Sequence, residues 1–208
     1  MLIPVHAQIT RQALGDLFSS AHLGTLIASN LGQDGLCGQF VHEEYHFDNN
    51  AFAKSRIYLD EQHALTLTAL QAGDPPSALS AFGRLTHTAQ DFYAHTNYVS
   101  LWLSRYIDST PPPAFEIDPV MAGLIASPDL CSGKLYYPLE LLYFIPPLRG
   151  FALSILPHDS HAHMNLDSAE RGPHFEYAFQ AALKRTRLEF NQVVSALALD
   201  QQKLFIGR

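Results

Sequence analysis

Three residues, His87, Asp91 and His95, follow one another at four-residue steps in the stretch from Gly83 to Tyr98. On a helix each such step turns the side chain by only about 40°, so an imidazole, a carboxylate and a second imidazole line one face. That is a donor set for a divalent metal ion. The positions between them, Leu85, Ala89, Phe92, Tyr93 and Ala94, are apolar or small, and Phe82, Tyr98 and Trp102 flank the row. A solvated stripe would carry Lys and Glu instead, so the row is expected to be buried. Leaving buried polar groups unpaired costs roughly 1–3 kcal/mol each, and one cation satisfies several at once.

The 11 histidines reinforce this reading, because most of them are grouped. His46 stands in Tyr45-His-Phe-Asp-Asn49, between aromatic residues. His158-Asp-Ser-His-Ala-His163 is a histidine-rich loop, and His95, His158 and His161 are alternative donors for the position beyond Asp91. His174 follows Pro173 at the start of the last long helical pattern, and His6 lies just before the first. His22 and His63 have no evident partners and are assigned to structural or exposed positions.

The elements that must position these groups are helices. Ile9, Leu14, Leu17, Leu23, Leu26 and Ile27 recur at helical intervals from about His6 to Leu31, with a break near Gly15 to Ser20. Gly32 to Asn50 reads as a loop, after which Asn50 caps a helix to about Gln71. Gly73-Asp-Pro-Pro76 ends that helix and opens the next, since proline is tolerated only in a first turn. The pattern predicts one helix from Pro76 to Tyr106 carrying the His-Asp-His row, and a last one from about Pro173 to Leu199. Between them, about 107–157, many prolines interrupt a Leu-, Ile-, Phe- and Tyr-rich segment. It is too apolar to be disordered and is expected to form short helices and packed loops. Phe115, Tyr136, Tyr137, Leu141, Leu142, Tyr143, Phe144 and Phe151 are the expected wall of a pocket. The fold class is all-α, with 1–208 as a single metal-binding helical domain containing that insertion.

At 208 residues, 47% hydrophobic and 16% charged, the chain can bury a sizeable core. Its net charge of −7 argues against a nucleic-acid surface, and Lys184, Arg185 and Arg187 read as a solvated helix face. Cys37 and Cys131 are expected to be free thiols. No apolar run of the length a transmembrane helix needs occurs, and no signal peptide is visible, which implies a cytoplasmic protein if the chain is full length and a secreted one if a leader was removed.

Leu85-Thr-His-Thr-Ala-Gln-Asp-Phe-Tyr-Ala-His-Thr-Asn-Tyr98 resembles the signature helix of the Het-C-like proteins, a family similar to zinc-dependent phospholipase C and the S1/P1 nucleases. The resemblance extends to Glu44-Tyr-His-Phe-Asp-Asn49, to the segment from His6 to Leu14, and to Asn165-Leu-Asp-Ser168 leading into the segment from His174 to Ala182. It implies a compact helical bundle of the phospholipase C/P1 nuclease type holding up to three zinc ions. His46, His87 and Asp91 would be ligands, with Asp91 bridging two metals, Asp34 completing the site, and His6 and His174 matching the helix-opening histidines. The sequence departs from that family where it begins Met-Leu-Ile-Pro-Val rather than with tryptophan, and where Ala178 replaces an acid.

The implied function is a metal-dependent hydrolase, phosphoesterase or phospholipase C-like, on an apolar or lipid-like small-molecule substrate. Zinc, in one to three ions, or another divalent transition metal would be the cofactor, and Asp91 would orient or deprotonate the attacking water. Two alternatives keep the metal: a small-molecule biosynthetic enzyme using it as a Lewis acid, and a non-enzymatic Het-C-type interaction protein in which it is structural.

Overall fold

The structure, a computed structural model, describes residues 1–35 and 42–208. Cys37 lies outside the described residues, and Cys131 is a free thiol. The chain is all-α: no strand occurs among the described residues, only two isolated bridges, Thr96 with Ser132 and Lys134 with Ser160.

Helix α1 (Ile3–Leu14) starts with Pro4 in its first turn and buries His6, Ala7, Ile9, Thr10, Ala13 and Leu14 at helical spacing. The expected break follows. α2 (Ser20–Leu31) is capped by Ser19, whose hydroxyl accepts the His22 amide at 3.3 Å. A single turn, α3 (Glu43–His46), then presents His46, and three residues with left-handed backbone, Phe47, Asn49 and Asn50, flank Asp48 and reverse the chain. Asn50 does not cap α4 (Phe52–Gln71), which has no side-chain cap. Its backbone amide donates to Ser132 Oγ at 2.8 Å and its side-chain Oδ1 accepts the Ser132 amide at 2.7 Å, binding the turn to the middle segment.

α5 (Pro75–His95) is the central element, capped by Asp74, which accepts the Ser77 amide at 3.2 Å. It packs against α2, α4 and the last long helix, and from Ala78 to its end all but Ser80 and Arg84 are buried. Its approach to α2 depends on Gly83, where a Cβ would stand 2.6 Å from the Leu26 carbonyl oxygen. The helix stops at His95 rather than running on to Tyr106. Thr96 is extended, and its hydroxyl donates to the Phe92 carbonyl at 2.6 Å while accepting the Tyr98 amide at 3.2 Å. Chain direction thus changes before the short α6 (Tyr98–Leu103) begins.

The middle segment is made of short helices and loops, as its prolines imply: α7 (Ala122–Ile125), α8 (Glu140–Tyr143), α9 (Arg149–Ile155) and α10 (His161–Met164). The last long helix, α11 (His174–Ser195), ends earlier than its apolar pattern suggests and is followed by α12 (Leu199–Ile206). The basic residues on α11 are not a free solvated face. Arg185 pairs with the buried Glu189, Lys184 donates to the Ile117 carbonyl at 2.8 Å, and Arg187 meets Asp16 at 3.1 Å.

Two apolar clusters hold the long helices, and a smaller one around Tyr143, Ala152, Leu156 and Ala162 holds the short helices of the middle segment. Of the larger two, one joins Leu14, Phe18, Leu26, Leu79, Phe82, Leu85, Phe190 and Phe205; the other joins Ile9, Phe47, Phe92, Tyr93, Tyr98, Trp102 and Phe179. Burial of each such side chain is worth roughly 1.5–3 kcal/mol. α5 runs through both, which fixes the axis from which its polar row projects.

Candidate metal centre

The row on α5 is buried: His87 and Asp91 are fully enclosed and His95 is 5% exposed. Aromatic packing on either side of the helix aims the row inward, toward α1, α3 and the segment around Asp167. Asp91 is the hub. Its Oδ2 lies 2.8 Å from His46 Nδ1 and 3.1 Å from His87 Nε2, and its Oδ1 lies 3.1 Å from His6 Nε2. His87 Nε2 is also 3.2 Å from His46 Nδ1 and 3.8 Å from Asp34 Oδ1. The rings of His6 and His87 stack with centroids 4.2 Å apart.

Around this inner group lies an outer one. His95 Nδ1–H donates to the His46 carbonyl at 3.0 Å, leaving Nε2 to face Asp167 Oδ1 at 3.1 Å. His161 Nδ1 is 3.0 Å from Asp48 Oδ1, which is 3.6 Å from His95 Nδ1. The Met1 ammonium contacts Asp91 and lies 3.2 Å from Asp167 Oδ1 and 3.3 Å from His95 Nε2. Burial would lower its pKa, but Asp167, Asp91 and Asp34 outweigh that and raise it to about 11. A single positive charge is therefore favoured between these carboxylates.

Among the described residues three sets of donors satisfy the spacing of a metal site, with the atoms of each within 4.8 Å of one another: His6, Asp34 and His87; His46, Asp91 and His95; and Asp48, His95 and His161, the last two sharing His95. In a tetrahedral zinc site with bonds of about 2.0–2.1 Å, ligand atoms stand roughly 3.3 Å apart. The distances among His46 Nδ1, His87 Nε2, Asp91 Oδ2 and Asp34 Oδ1 given above bracket that value. The protein also leaves atoms here unsatisfied. His6 Nε2, Asp34 Oδ2, His46 Nε2 and His87 Nδ1 are buried without a hydrogen-bond partner, His6 Nε2 facing Asp91 out of hydrogen-bonding alignment. Orphaned groups at this density are unusual for a folded interior.

Protonation divides the centre. Burial holds His87 neutral, lowering its pKa to about 3 with the neighbouring His6 adding to the effect, and burial likewise lowers His6 despite Asp91. His161 behaves oppositely: burial opposes its charge, but Asp48 prevails and raises it to about 9. Burial would lower His46, but Asp91, Asp48 and Asp34 together outweigh it and raise its pKa. Burial would raise all three carboxylates, but Asp91 is held well below the usual range by the Met1 ammonium and the histidines, Asp167 by Met1 and His95, and Asp48 by His161.

The centre opens into a cavity of about 290 Å³. Asp34, His46, Asp48, His95, His161 and Asp167 form its polar end, and Leu2, Ile3, Pro4, Leu135 and Phe144 line its apolar walls. Of the aromatic and aliphatic residues expected to form the pocket wall, Phe144 is the one that lines it; Phe115 and Phe151 are 62% and 58% exposed.

His6, Asp34, His46, His87, Asp91 and His95 are thus brought together. His158 and His174 are not: both are exposed, His158 against the ring of His163 and His174 on the outer side of the first turn of α11. Asp48, Asp167 and the Met1 amine join the centre although sequence reasoning assigned them no ligand role, and of the three alternatives offered for the position beyond Asp91, His95 and His161 are both present. Asp48 had a signal, its place two residues after His46; Asp167 had only its proximity to the histidine-rich loop.

The family described as the VWA7 N-terminal domain matches residues 5–116, a span that includes α1 to α6 and every inner member of the centre. The von Willebrand factor A domain-containing protein 7 of Rattus norvegicus is 34% identical over 91 residues, 42% of this chain and 10% of the relative. The chain therefore spans about a tenth of that relative's length. No solved structure matches. These findings overturn the resemblance to Het-C-like proteins, phospholipase C and the nucleases, and with it the metal-dependent hydrolase and both alternatives built on it. The reason is physical as well as historical: His-x₃-Asp-x₃-His between aromatic residues specifies a buried helix face, and such a face neither dictates a reaction nor is confined to one family.

Proposed function

The chain belongs to the VWA7 N-terminal domain family, and on that premise we propose that it is a metal-holding helical module. Its buried histidine and aspartate centre takes a divalent transition metal, zinc best suiting the mixed imidazole and carboxylate donors. No reaction is assigned to it. The observation that carries the reading is the set of unpartnered buried atoms on His6, Asp34, His46 and His87, four residues from four separate segments, three of them beside Asp91 and Asp34 beside His87. Without a metal ion these atoms stay buried and unpaired, an arrangement that costs free energy.

In this reading the first ion sits among His46, His87, Asp91 and Asp34, where burial holds His87 neutral and the ion takes the place of the proton that Asp91 favours on His46. It ties α3 and α5 to the segment carrying Asp34. Residues 1–208 then act as one unit, because Asp167 and His161 from the far half of the sequence close the same centre. The cavity leaves room beside it for a small molecule with a polar end toward the ion and an apolar end toward Leu2, Ile3 and Phe144.

Metal analysis by inductively coupled plasma mass spectrometry on protein purified without chelators tests the proposal. It predicts at least one equivalent of a divalent transition metal per chain. Less than about half an equivalent, with no uptake on adding zinc, contradicts it.

A further inference from the structure

Behind His6, away from Asp91, lies a second buried residue of α5. Gln90 is fully enclosed, and all of its polar atoms are engaged. Its Nε2 donates to Thr10 Oγ1 on α1 and to Thr186 Oγ1 on α11, both at 3.1 Å, and its Oε1 lies 2.6 Å from His6 Nδ1. The amide cannot be turned round. Thr186 spends its hydroxyl proton on the Ala182 carbonyl at 2.8 Å and so can only accept from Gln90. Reversal would also place the Gln90 NH₂ against the Asn30 Nδ2, which lies 3.4 Å from Oε1 and is itself a donor.

The consequence reaches the metal centre. Facing an acceptor, His6 Nδ1 must carry the ring proton, and the neutral ring then has its lone pair on Nε2. That nitrogen lies 3.1 Å from Asp91 Oδ1, so a lone pair sits beside a carboxylate. Among the described residues His6 Nε2 has no hydrogen-bond partner.

We propose that Gln90 is the positioning residue of the metal centre: it fixes His6 in the Nδ1–H form and so makes His6 Nε2 a standing electron-pair donor beside Asp91. The assignment rests on the metal reading above, and it adds α11, through Thr186, to the elements that hold the ligand shell. Partners of this kind orient ligating imidazoles and set their basicity, and losing one weakens metal binding about 10- to 100-fold.

Long-range ¹H–¹⁵N correlation spectra of the metal-free wild-type chain read the tautomer directly. A proton on His6 Nδ1 is expected; a proton on Nε2 overturns the proposal. Zinc affinity by chelator competition gives the second arm. Gln90→Leu should bind zinc about 10- to 100-fold more weakly, whereas Gln90→Glu, which keeps an acceptor toward Nδ1, should stay within about threefold of wild type. Wild-type affinity in Gln90→Leu, or equal losses in both variants, assigns Gln90 to packing alone and overturns the proposal. If Gln90→Leu does not fold, the wild-type spectrum decides. A wild-type chain that binds no zinc overturns the metal reading itself, an outcome separate from either result on Gln90.

Discussion

The inner and outer halves of the centre solve the same problem in opposite ways. Inside, His6 and His87 are stacked, neutral and short of partners beside Asp91. Outside, at the cavity, His161 is a cation matched to Asp48. The outer pair is internally balanced, and a metal entering there must first displace a proton. Of the inner set, His6 and His87 are neutral and have no extra proton to displace, so only the Met1 ammonium and the proton that Asp91 favours on His46 must give way. Burial without compensation is tolerated in folded proteins mainly where something else supplies the charge, so the contrast locates the first ion.

The largest effect should come from the hub. Asp91→Asn keeps the shape but removes the charge shared by His6, His46 and His87, and should weaken zinc binding more than 100-fold. The matched Asp48→Asn should cost about 10-fold or less, within the range of a supporting ligand. Equal losses in competition titrations would erase the distinction between the halves.

Acid and alkali should separate the halves in the metal-free chain. His161 titrates near 9 when folded and near 6.5 when unfolded, so its contribution is complete below pH 6.5 and is lost as pH rises through 9, about 3 kcal/mol in all. His87, depressed to about 3, acts the other way. Below pH 6.5 the unfolded chain takes up a proton that the folded one refuses, so stability falls as pH drops toward 3. Denaturant unfolding across pH should show Asp48→Asn flattening the alkaline limb and leaving the acid limb in place. Loss of the acid limb in that variant would contradict the assignment.

Zinc at about 100 times its dissociation constant should stabilise the folded chain by about 2.7 kcal/mol, raising Tm by about 5–10 °C. Gly133→Ala sharpens the comparison further. A Cβ there would stand 2.6 Å from His161 Cα, in the strip where His161 N donates to the Lys134 carbonyl and the Gly133 amide donates to the His95 carbonyl. It should displace His161, cost about 1–3 kcal/mol, and leave zinc affinity at the inner half within about threefold of wild type. Smallest of all, His158→Ala and His174→Ala should change stability by less than about 0.5 kcal/mol.

What could be read in advance follows the same division. The inner half lies mostly on α1 and α5, where helical periodicity and spacing place side chains directly, so His87, Asp91 and His6 were legible. The outer half is made by chain reversals. Asp48 is aimed by left-handed backbone at Phe47, Asn49 and Asn50, and His161 by a glycine contact that periodicity does not encode. The end of α5 at His95 was missed for a related reason: Thr96 competes with the helix through its own hydroxyl, while the apolar pattern continues past it. The reaction inferred from the row had no such physical basis. A helix face records which side chains are enclosed together, not what chemistry they perform.

The most direct test is a crystal structure of zinc-loaded protein with anomalous data collected on both sides of the zinc edge. The proposal predicts a peak about 2.0–2.2 Å from His46, His87 and Asp91 donor atoms. An inner site without anomalous density at saturating zinc, with ions only on the surface, would contradict it.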